Sequence, residues 1–217
     1  ASQVLKNYNL SDEEIENGIV GSGNDGGCDG IFVFLNDDLL TSDQIENLSA
    51  PKGSVLNLTI IQAKETTSFN ETAIMKWKTV SENLLDMSND ISSFSDRYNE
   101  LVLDKFQLFG DALTKLVRSQ VKTKIRFYYV TLGVEVHPNV QQQADELQSL
   151  ITKLYPSTKV EVSFVGADEL MELYNTDSDI SINLSLADNP ISLGSNDEYV
   201  ALVNIGTYYN FITDDNG

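Results

Sequence analysis

Asp29, Gln62 and Lys64 have the residue types and spacing of a metal-assisted hydrolytic site. Asp29 closes residues 21–30, where five glycines lie among Asn24, Asp25 and Asp29, a composition that cannot hold a helix and demands a tight loop. Gln62 and Lys64 end residues 55–64, where Leu56, Leu58, Ile60, Gln62 and Lys64 share one face and Asn57, Thr59, Ile61 and Ala63 the other. Two polar side chains thus finish an otherwise apolar strand face. Adjacent strands run under about 5 Å apart, so a carboxylate at the start of one strand faces a Gln-x-Lys pair at the end of its neighbour when the register is right. A carboxylate and an amide oxygen are hard ligands suited to Mg²⁺ or Mn²⁺. An ammonium beside them orients or deprotonates a water and offsets charge on a phosphoryl transition state.

Each of these residues also has a plainer role. Asp29 in a glycine loop can cap a turn, and Gln62 with Lys64 can form a solvated strand end. Apolar neighbours on both faces of residues 55–64 sit poorly with the second role. The loop also imitates a Gly/Asp calcium-binding repeat, but such sites need stacked copies and this chain holds one. Asn24 and Asp25 read as turn formers. Cys28 reads as a small buried hydrophobe, His137 as a loop residue, and Met75 and Trp77 as core or contact residues of a helical stretch.

The elements that must position these side chains form an α/β pattern. Ser11 followed by Asp12, Glu13 and Glu14 predicts a capped short helix over 11–20, its acids placed favourably against the helix dipole. Residues 30–35 are a buried strand by their β-branched and aromatic content, with a hairpin turn at Asn36-Asp37-Asp38. Residues 41–54 read as loop, and residues 70–119 as helical with an apolar stripe of Val102, Phe106, Phe109, Leu113 and Leu116. Residues 123–131 and 159–165 are strands around a helix that Asn139 caps, striped by Val140, Ala144, Leu147, Ile151 and Leu154; this unit suits a parallel crossover. A short helix over 167–174 and edge strands over 180–186 and 199–205 complete the pattern.

The chain has 217 residues, enough for one sizeable core, and 14 basic against 33 acidic residues give a net charge of -19. That charge excludes wholesale wrapping of nucleic acid or an anionic membrane. It is unevenly spread: residues 1–50 are net -9, residues 51–130 net +2 and residues 131–217 net -12. A polyanion would therefore meet the middle third, where Lys115, Arg118, Lys122, Lys124 and Arg126 cluster at a helix end and strand start. The same cluster also suits a solvated helix end. One cysteine and one histidine leave no internal disulfide and no zinc module. With no apolar run of about 18 residues and no basic-then-apolar leader, the sequence predicts a cytoplasmic protein without membrane association. Ala1 in place of methionine, and an end at Asp214-Asp215-Asn216-Gly217 just after an apolar segment, predict a piece of a longer chain. The expected organisation is one α/β domain over 1–175, with 176–217 beginning a further region.

Gly26-Gly27-Cys28-Asp29-Gly30-Ile31 followed by Ile60-Ile61-Gln62-Ala63-Lys64 resembles the D…(D/E/Q)xK signature of PD-(D/E)xK nucleases, in the GGxDG…QxK form of Mrr-like restriction endonucleases. Residues 10–20 leading into that loop resemble the N-terminal region of the abortive infection phage resistance (AIPR) family. Tyr199-Val200-Ala201-Leu202-Val203 and Tyr208-Tyr209-Asn210-Phe211-Ile212 are similar to it as well. The resemblance implies a restriction-endonuclease-like mixed sheet flanked by helices, and a Mg²⁺- or Mn²⁺-dependent nuclease acting on DNA or RNA in bacterial anti-phage defence. In it, Asp29, the side-chain oxygen of Gln62 and the backbone carbonyl of Ala63 hold the ion, and Lys64 positions or activates the water. Many such nucleases add a glutamate from an earlier helix; Glu13, Glu14 and Glu16 are what this chain offers, with Glu14 the candidate ligand. Lys115, Arg118, Lys122 and Lys124 would track phosphates, and paired cutting would favour a homodimer. The competing expectation is an inactive nuclease-like module that binds or regulates within a larger defence protein.

Overall fold

The computed structural model describes residues 1–175, 186–192 and 199–212. The chain divides into two compact units, Ala1–Asn175 and Thr176–Gly217.

The first unit is built on a five-stranded mixed sheet in the order β2-β1-β3-β4-β5, from β1 (Gly30–Leu35), β2 (Asp38–Leu39), β3 (Val55–Ala63), β4 (Lys122–Val130) and β5 (Lys159–Val165). β1 runs antiparallel to β2 and β3, while β3, β4 and β5 run parallel. Three helices, α2 (Glu71–Leu84), α3 (Glu100–Leu116) and α4 (Pro138–Leu154), cover one face. There Leu56, Leu58 and Ile60 of β3 meet Trp77, Phe106, Phe109 and Leu147. Each such fully buried side chain contributes about 1.5–3 kcal/mol. On the other face residues 1–10 lay Leu5 and Tyr8 over Phe32, Phe34 and Ile61, with the Tyr8 and Phe34 rings stacked at 4.0 Å. β1 is therefore apolar without alternation because both its faces are covered.

Several predicted elements differ in detail. The helical stretch 70–119 resolves into two helices, α2 and α3. Between them Asp86 accepts from the Ser88 N–H and Asp90 from the Ser92 N–H, and such side-chain bonds draw the backbone away from helix into turns and a 3₁₀ segment, Ile91–Phe94. The loop over 41–54 contains a 3₁₀ turn, Ser42–Asn47, with a Thr41/Gln44 capping box. The cap of α4 is His137 rather than Asn139: Pro138 takes the first helical position, and His137 Nδ1 accepts from the Asn139 N–H at 3.2 Å. Met75 is exposed, whereas Trp77 is fully buried. A short helix, α1 (Asp12–Asn17), precedes the glycine loop, and α5 (Ala167–Asn175) ends the unit.

In the second unit β6 (Ile191–Ser192) pairs antiparallel with β7 (Tyr199–Val200), and Leu186 bridges Val203. The strand predicted over 199–205 stops early. The Asn204 side chain accepts from the Gly206 N–H at 2.9 Å, and a helix, α6 (Ile205–Ile212), follows. The strand predicted over 180–186 lies, up to residue 185, outside the described residues. Among the described residues no helix is long and apolar enough to cross a membrane.

Candidate active site

The register of β1 against β3 decides where Asp29 falls. Gly30 pairs with Ile61, so Asp29, one residue earlier, stands opposite Gln62, and directly opposed residues point to the same face. Asp29 donates its N–H to the Ile61 carbonyl at 2.8 Å and accepts from the Val20 N–H at 3.0 Å, which fixes its main chain on both sides. Its carboxylate Oδ2 accepts from the Ala63 N–H at 2.7 Å, the peptide between Gln62 and Lys64. The other oxygen, Oδ1, faces Gly21, where a Cβ would stand 3.3 Å away.

Gln62 is 1% exposed, and its Oε1 has no hydrogen-bond partner. An unpaired buried amide oxygen costs about 1–3 kcal/mol. Lys64 is exposed beyond the end of β3; its N–H donates to the Val130 carbonyl at 2.9 Å. Its ammonium has no ion-pair partner among the described residues.

The glycine loop is held from below by two residues that sequence reasoning missed. Trp77 of α2 donates its indole N–H to the Gly27 carbonyl at 2.8 Å in a fully buried setting. Asn99, the cap of α3, donates its side-chain amide to the carbonyls of Val20 at 3.0 Å and Gly23 at 2.9 Å, and its own N–H to Asn24 at 2.9 Å. Gly27 has φ +82, and its missing Cβ leaves room for the Lys76 stem and the Gln62 amide. The available signals were the lone tryptophan in an amphipathic stretch and an asparagine before an apolar stripe; neither names a distant loop as its partner. Cys28 is fully buried, and burial, then the nearby charges of Asp25 and Asp29, push its thiol far up, so it stays protonated.

Glu14 is engaged elsewhere. Its carboxylate accepts from the Ser11 N–H at 2.8 Å and hydroxyl at 2.7 Å, closing the capping box of α1, and these bonds hold its pKa below the ordinary range. Among the described residues no three His, Cys, Asp or Glu side chains come together as a metal cage. The residues that the strand register brings to neighbouring positions, Asp29, Gln62 and Ala63, offer oxygen donors, the class that suits a hard divalent cation.

The basic cluster lies apart from this site. Lys122 pairs with Val55 and Lys124 with Asn57 at the start of β3, whereas Gln62 pairs with Tyr129 near its end. At about 3.3 Å per residue, Lys122 and Lys124 are roughly 17–23 Å along the sheet from Gln62. Lys115 and Arg118 are exposed at the end of α3 and just after it. Lys124 is bound to Glu161 at 2.9 Å, a carboxylate that also holds Lys159 at 2.7 Å and Arg126 at 3.3 Å.

Comparison with known proteins returned no matching family model, no matching curated sequence and no matching solved structure.

Proposed function

We propose that the chain is a metal-dependent nuclease core of the PD-(D/E)xK, restriction-endonuclease-like type, hydrolysing phosphodiester bonds of DNA or RNA in cytoplasmic anti-phage defence. The observation that carries this reading is the pairing of Asp29 opposite Gln62 across β1 and β3, with the Asp29 carboxylate bonded to the Ala63 N–H and the Gln62 oxygen buried and unpartnered. The motif resemblance to Mrr-like and AIPR proteins supports it. Asp29, the Gln62 oxygen and the Ala63 carbonyl would hold Mg²⁺ or Mn²⁺. When bound, such an ion polarises a phosphoryl oxygen and lowers the pKa of water. The chain's own part is to hold Asp29 rigidly through Ile61, Val20 and Ala63, and to set the Lys64 ammonium where it orients water and offsets charge as the bond to phosphorus forms.

The test incubates the protein with single- and double-stranded DNA and RNA in Mg²⁺, Mn²⁺ or EDTA. Cleavage is expected only with metal and to fall by about 10²–10⁴-fold in Lys64→Ala. Activity that survives both EDTA and that substitution overturns the reading. A second reading, an inactive nuclease-like binding or regulatory module, is favoured by one observation: the Glu14 carboxylate is consumed in its capping box. Calorimetry separates the two, since the module would show no heat on Mn²⁺ addition and tight association with a partner chain.

A further inference from the structure

We propose that Lys76, from the first turns of α2, is a second lysine of this site and contacts a phosphate oxygen of the bound strand; the inference rests on the nuclease reading for its ligand. The Cβ and Cδ of Lys76 each lie 3.2 Å from the point a Cβ on Gly27 would occupy, and the Gln62 amide nitrogen lies 3.4 Å from that same point. The lysine stem therefore packs along the glycine loop, beside a position that only a residue without a side chain leaves open. Its backbone is fixed there by its neighbour, because Trp77 is fully buried and bonded to the Gly27 carbonyl at 2.8 Å.

The head group is exposed and uncommitted. Lys78, two residues on, is tied to Glu146 at 2.6 Å, whereas Lys76 has no ion-pair partner among the described residues, despite a chain charge of -19. The ammonium is two bonds beyond that Cδ, on a stem that shares its contact point on the glycine loop with the Gln62 amide. Lys64 follows Gln62 by two residues at the end of the strand, and Lys76 is carried by the helix. An ammonium on this side of the site stabilises the charge that collects on a non-bridging phosphate oxygen.

The experiment measures two quantities on the intact chain. The first is single-turnover cleavage in Mn²⁺. The second is equilibrium binding, in Ca²⁺, of a short fluorescein-labelled DNA duplex and of single-stranded RNA of the same sequence, over a range of salt. Lys76→Ala is expected to slow cleavage by on the order of 10²-fold or more. It should also flatten the slope of log K against log salt by about 0.9 on the duplex or about 0.7 on the single strand, the loss of one phosphate contact. Lys76→Arg should restore the slope, and Lys153→Ala, on an exposed turn of α4, should leave both readouts unchanged. If wild type cleaves and Lys76→Ala matches it in rate and slope, the Lys76 assignment is wrong while the nuclease reading stands. If wild type binds but does not cleave, the nuclease reading fails, and the salt slope alone decides for or against Lys76. Wild type that neither binds nor cleaves overturns both.

Discussion

Replacing Gln62 with methionine should stabilise the metal-free protein while removing its metal response. Gln62 is 1% exposed and its Oε1 is buried with no partner, so the folded state bears an unsatisfied acceptor that the unfolded state gives to water. That penalty is about 1–3 kcal/mol. Methionine has nearly the same length and volume and no group to desolvate, so Gln62→Met should recover most of it without opening a cavity. For a chain of this size the gain corresponds to roughly 2–12 °C in Tm. In Mn²⁺ the order should reverse: wild type gains RT ln(1 + [L]/Kd) from the ion and the variant gains little. The assay is urea unfolding followed by circular dichroism, in EDTA and across a Mn²⁺ titration. A variant less stable than wild type in EDTA by more than about 1 kcal/mol would refute the reasoning, because the amide would then be making bonds that hold the fold.

Two further outcomes test the surroundings of the site. Trp77→Phe keeps most of the buried ring but leaves the Gly27 carbonyl unpaired, so urea unfolding should show a loss of about 1–3 kcal/mol, and amide exchange in residues 23–28 should quicken. Glu161 gives a pH signature: burial raises its pKa, but hydrogen bonds and charge from Lys159 and Lys124 outweigh it and hold the group to about 2, against an ordinary 4.5. A depressed folded pKa means that this contribution is complete above about pH 4.5 and is lost as pH falls toward 2. The stabilities of wild type and Glu161→Gln should accordingly differ most above that window and converge within it; a difference that persists unchanged at pH 2 would refute the assignment.

The parts of the fold legible in the sequence were those fixed by period and local chemistry. The alternation of residues 55–64 put Gln62 on the core side, and the apolar run at 30–35 matched a strand covered on both faces. The break between α2 and α3 was less visible, since it depends on Asp86 and Asp90 bonding to backbone two residues on, an option that serine and asparagine around them also offer within helices. The partners of the glycine loop were hidden for another reason. Trp77 and Asn99 reach it across 50 and 76–79 residues, and nothing in their local pattern records that distance.

Charge shows the same contrast between composition and placement. The net +2 of residues 51–130 directs attention to Lys115, Arg118, Lys122 and Lys124, where positive charge is densest in the sequence. Yet β3 and β4 run parallel, so cations at the start of β4 must lie at the start of β3, the end away from Gln62. There Glu161 already takes up Lys124, Arg126 and Lys159. Among the described residues, Lys64 at the end of the strand and Lys76 on the helix beside the glycine loop carry no ion pair. An exposed charge in water is screened over about 8 Å at physiological salt. What a phosphate would feel at this site is therefore set by the charges within that distance, far more than by the total of -19.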